Sequence, residues 1–72
     1  MDPKQFYTTK FELLGQLQAA LNDVLDTIND LELLESRAVA PAVGEFFDIR
    51  SSLENTKDEV LDLIVAVEPL AQ

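Results

Sequence analysis

Cysteine and histidine are both missing from this 72-residue chain, and glycine occurs only twice. Each absence removes a class of chemistry. Without cysteine there is no disulfide to staple a small fold. Without histidine or cysteine a structural zinc site lacks its usual ligands, and no Ser-His-Asp, Cys-His or zinc-water arrangement can be built from one chain. With only Gly15 and Gly44, no glycine-rich loop can cradle a phosphate. Carboxylates at helical spacing, such as Asp23 with Asp26 or Glu32 with Glu35, read as a solvated acidic face. The expectation is a protein that is not an enzyme, with no cofactor and no metal.

Basic residues are scarce. Five Lys and Arg stand against fourteen Asp and Glu, a formal net charge of −9. The imbalance is regional, because Phe11 to Ser36 contains Glu12, Asp23, Asp26, Asp30, Glu32 and Glu35 and no cation. Such a chain repels nucleic-acid phosphates and anionic membranes, and it attracts basic protein surfaces. Long apolar runs are absent as well. The longest, Leu63 to Val67, is a fragment of a membrane span. Met1-Asp2-Pro3-Lys4-Gln5 lacks the basic and apolar stretches of a secretory signal. The expected location is the cytoplasm, with no membrane and no direct nucleic-acid partner.

What the chain does have is apolar residues, 47% of the total. That is too many for a disordered chain. A fold this small buries a modest share of its surface and usually needs a staple or a partner. With disulfides excluded and the common metal ligands missing, oligomerisation is the route left.

The apolar residues are also ordered. Leu14, Leu17, Leu21, Val24, Ile28 and Leu31 recur at alternating steps of three and four. That is the a/d rhythm of a helix burying one continuous seam against another helix. With Leu14 at a, residues Phe6, Leu13, Ala20 and Leu34 fall at g, and Phe11 and Leu25 at e. The arc is wider than a two-stranded seam and suits a helix with two neighbours, as in a bundle. Asn22, Asp23, Asp26, Asn29 and Asp30 take the b, c and f positions. They are poor helix formers, so burial of the other face must hold them helical.

Boundaries follow from caps and prolines. Asp2, Pro3 and Gln5 form one helix start; Thr9 to Glu12 forms a competing capping box, so the first turn is expected to fray. Pro41 interrupts the pattern and opens a second helix. Its seam reads Val43, Phe46, Arg50, Leu53, Lys57, Val60, Ile64 and Val67, with Phe47 and Leu61 beside it. Ser51-Ser52-Leu53-Glu54 could cap a fresh start and split this region in two. Val60 to Val67 is rich in β-branched residues, but a lone strand has nothing to pair with. Pro69 ends the helix, and the residues after it are expected to be loose. The expected architecture is all-α: one domain, a helix at about 3–37, a turn at about 38–41 and a helix at about 42–68. This antiparallel hairpin is expected to dimerise into a four-helix bundle.

Arg50 and Lys57 occupy seam positions that want apolar residues. Antiparallel pairing about Val39 and Ala40 matches residues whose numbers sum to about 79. Arg50 then lies near Asn29 and Asp30, and Lys57 near Asn22, Asp23 and Asp26. The expectation is that both lay their stems on the seam and send their charges to water. Outside the seams, Leu33, Phe47, Ile49 and Leu63 mark a second apolar surface. A dimer contact and a site for another protein both satisfy it. The functional expectation is an interaction module, an adaptor, assembly factor or regulatory subunit, that binds itself and another protein through an apolar helix face. Its interface residues are Leu13, Leu14, Leu17, Leu21, Val24, Leu25, Ile28 and Leu31 of the first helix. The second helix supplies Phe46, Phe47, Leu53, Val60 and Ile64. The alternative is an acidic decoy for a basic, nucleic-acid-binding protein surface.

Overall fold

The computed structural model describes residues 1–72. Helix α1 runs from Pro3 to Arg37. Its start is set by Asp2, whose backbone is extended and whose Oδ1 accepts the Gln5 N–H at 2.8 Å. That bond satisfies one of the amide donors left over at a helix N-terminus, and Pro3 follows at a position where no donor is needed. The helix passes through Thr9 without interruption, so the competing start does not form and the first turn is not frayed. Asp2 accepts from Gln5 with its side chain and from Phe6 with its carbonyl, so the helix is already under way when it reaches Thr9.

The chain leaves α1 at Ala38, which is extended, and its N–H donates to the Glu35 carbonyl at 3.3 Å. The Ala40–Pro41 peptide is cis. Helix α2 then runs from Ala42 to Val67 as one piece. No side chain caps it; its first turn is closed by the Val39 and Pro41 carbonyls, which accept from Val43 at 3.2 Å and from Gly44 at 3.1 Å. Ser51 to Glu54 lies within the helix and starts nothing new. Burial of the face containing Leu53 favours continuing the existing helix over nucleating a second one. The β-branched stretch from Val60 to Val67 is helical.

The two helices pack side by side, antiparallel, in a rod of 56 × 15 × 14 Å. Leu21 and Ile28 are the only residues whose exposure falls to 6%, and both sit at a positions in the middle of α1. Burying each contributes about 2–3 kcal/mol. Around them Leu14, Leu17, Val24 and Leu31 of α1 are half-buried, as are Val43, Phe46, Leu53, Val60, Ile64 and Val67 of α2. The seam is thus continuous from end to end but one layer deep. Fourteen large apolar side chains stay exposed, because two helices can cover only one stripe of each other.

Candidate protein interface

Two charged residues on the seam, Arg50 and Lys10, reach across to the other helix. Arg50 does not send its charge to water. Its Nε donates to Glu35 Oε2 at 2.6 Å and its Nη2 to Glu35 Oε1 at 3.2 Å, while Nη1 donates to Glu54 Oε1 at 2.9 Å. Its guanidinium also lies 5.2 Å from the centre of the Phe47 ring. Only 17% of its side chain and 21% of that of Glu35 remain exposed. The Arg50 hydrogen bond, with the arginine charge behind it, holds the Glu35 carboxyl below its ordinary range against the opposing effect of desolvation. Hydrogen bonds to Glu35 and then Glu54 push the Arg50 pKa up.

The partner of Arg50 is therefore Glu35, not Asn29 or Asp30. The reason is the direction in which helical side chains lean. They point toward the N-terminus of their own helix. For Arg50 that is toward the turn; for Glu35 it is away from the turn. The two side chains lean toward each other and close a gap of about six residues, some 9 Å of helix rise. Lys57 behaves differently. Its Nζ has one carboxylate nearby, Asp58 of its own helix at 3.9 Å, and it forms no ion pair with Asp23 or Asp26. At the far end of the rod, Lys10 occupies a d position. Its Nζ donates to the carbonyls of Glu68 and Leu70, the latter at 2.7 Å, and lies 5.9 Å from the Tyr7 ring centre. An ammonium there satisfies acceptors orphaned at the end of α2 and complements its dipole. Gln72 Nε2 donates to the Met1 carbonyl at 2.6 Å, which brings the end of the chain beside the start of α1.

Beside the seam the hairpin has two flanks. In an antiparallel pair the g positions of one helix neighbour those of the other, and e positions neighbour e. The g positions of α1 are Phe6, Leu13, Ala20, Thr27 and Leu34. Continuing the α2 seam gives Ala42, Ile49, Thr56, Leu63 and Leu70. None of these ten carries a charge. The structure brings six of them together in two clefts: Phe6, Leu13 and Leu70 line one of about 230 Å³, with Lys10 at its edge. Thr27, Ile49 and Thr56 line a groove further along, floored by Leu31 and Leu53. All but Phe6 and Ala42, which are half-buried, are exposed. The other flank alternates differently. There Phe11, Leu25, Phe47 and Leu61 are interleaved with Lys4, Glu32, Glu54 and Glu68.

Among the interface residues read from sequence, ten lie on the intrachain seam: Leu14, Leu17, Leu21, Val24, Ile28, Leu31, Phe46, Leu53, Val60 and Ile64. Leu13 is on the uncharged flank, and Leu25 and Phe47 are on the charged one, all exposed. Leu33 projects from the outer face of α1, away from both. Glu35 and Lys10 were missed as seam residues. The signal was present: continuing the α1 rhythm one step either way reaches them, and Glu35 mirrors a cation at the matching end of α2. No group of three or more potential metal ligands gathers anywhere. No helix is long and apolar enough to cross a membrane.

No known protein family, curated protein or solved structure matches this chain.

Proposed function

We propose that this protein is a non-enzymatic interaction module that works by burying an apolar helix face against other chains, forming a four-helix bundle with a copy of itself. One observation carries the reading. The hairpin buries two residues and leaves fourteen large apolar side chains exposed, and part of that surface forms an uncharged strip along one flank. Scattered apolar residues are ordinary on a protein surface; a contiguous strip free of charge marks a contact site. The lack of histidine and cysteine argues in the same direction, since it removes the usual catalytic groups. A small adaptor, assembly factor or regulatory subunit fits this description.

The test is retention of bound chains, whether copies or other proteins, on the tagged 72-residue chain in about 0.05 M and about 0.5 M salt. Apolar docking predicts that bound chains stay at high salt and are lost from the double variant Ile49→Glu, Leu63→Glu. Release by salt, with no effect of the double variant, would replace this reading with that of an acidic decoy for a basic protein.

A further inference from the structure

Resting on that reading, we infer that the occupant of the uncharged strip is a second copy of this chain. The first support is area. A compact monomer of 8.0 kDa exposes about 4,450 Å² of surface. This hairpin exposes 5253 Å². The surplus, about 800 Å², equals what one partner contributes to a stable interface of standard size. A whole flank of the rod, 56 Å long and 15 Å wide, offers about that area, with the uncharged strip along its centre.

The second support is charge. A basic partner would seek carboxylates, and the strip has none. Of the exposed acids of α1, Asp26 lies on the outer face, while Asp23 and Asp30, with Glu45 and Glu59 of α2, border the strip at c positions. Two chains of −9 repel each other in most orientations. Pairing along the strip puts its uncharged centre in contact and leaves the bordering carboxylates at the rim, in water. The third support is shape. The groove at Thr27 and Thr56 has room for large side chains, and the same strip supplies them in Leu34, Ile49 and Leu63. A self-complementary patch of this kind is what a two-fold dimer requires.

Single cysteines test the assignment, because the chain has none of its own. Thr27→Cys and Thr56→Cys place a thiol on the strip, and Gln18→Cys places one on the opposite flank. Alkylation rates are measured from low micromolar to near-millimolar protein, with sedimentation equilibrium in parallel. Ala20→Cys, also on the strip, replaces either threonine variant should it fail to fold. Both strip thiols should slow by about tenfold as the dimer forms, while Gln18→Cys reacts at one rate throughout. A dimer in sedimentation with unprotected strip thiols would overturn the choice of face and leave the interaction-module reading standing. A folded monomer at the highest concentration would overturn the second copy and with it the four-helix bundle; salt-resistant binding of other chains would then still support an interaction module.

Discussion

The two flanks of the hairpin carry comparable apolar surface and differ in where the charges sit. On one, Leu13, Leu34, Ile49, Leu63 and Leu70 alternate with alanine and threonine. On the other, Phe11, Leu25, Phe47 and Leu61 are each followed along the flank by a charged or amide side chain. Burying the first removes mainly apolar area from water. Burying the second would also desolvate Glu32, Glu54 and Lys4, at a cost that imperfect pairing does not return. Exposed apolar area is thus a poor guide to contact by itself. Its separation from charge is the better one, in line with the depletion of charged residues from interface cores.

The largest expected effect lies beneath both flanks. Leu21→Asp places a carboxylate at one of the two buried positions and should cost several kcal/mol, unfolding the protein in a thermal melt. A folded variant would mean that the seam does not hold the hairpin together. Next comes the contrast between flanks. The melting temperature of the wild type should rise with protein concentration, as for any fold stabilised by self-association. Ile49→Glu should flatten that dependence, and Leu61→Glu should keep it. The reverse ranking would exchange the roles of the flanks.

The Arg50 cluster gives a prediction about acid. Arg50 holds the Glu35 pKa below its ordinary value of 4.5. The unfolded state therefore takes up a proton at this group before the folded state does. The stabilisation is fully present above about pH 4.5 and is lost as pH falls through the lowered folded value. Urea unfolding at about pH 6 and about pH 3 should show the wild type losing more stability than Glu35→Gln does. Equal losses would remove the pair from the account of stability. A smaller effect is expected at the other end of the rod. Lys10→Met should cost about 0.5 kcal/mol and speed amide exchange in the last turn of α2, leaving the middle of the seam unchanged. The smallest belongs to Asp26→Ala on the exposed face, which should leave the melt unchanged or slightly higher through better helix propensity.

The seam was legible because its information is local. A rhythm of threes and fours in one helix, broken at Pro41 and restarted in a second, states which face of each helix is buried. Val43 to Val67 could be placed beside Leu14 to Leu31 without knowing either position in space. The partner of Arg50 was not legible from matching levels alone, since level ignores the lean of the side chain. Leaning moves the contact from Asp30 to Glu35. The hold of Lys10 on the end of α2 depends on carbonyls, which every residue has, so no residue type announces it. The contrast between the flanks was half legible. Leu13, Ala20 and Leu34 could be placed at g, but their company with Ile49, Leu63 and Leu70 appears only when antiparallel packing sets g beside g.

The central claim is that copies of an acidic chain meet through a surface without charge. Sedimentation equilibrium of the wild type at low and high salt tests it most directly. Repulsion between two chains of −9 opposes pairing, and salt screens that repulsion while leaving apolar contact in place. The account predicts a dimer whose dissociation constant falls as salt is raised. A dissociation constant that rises steeply with salt, or a folded monomer at every salt concentration, would contradict it.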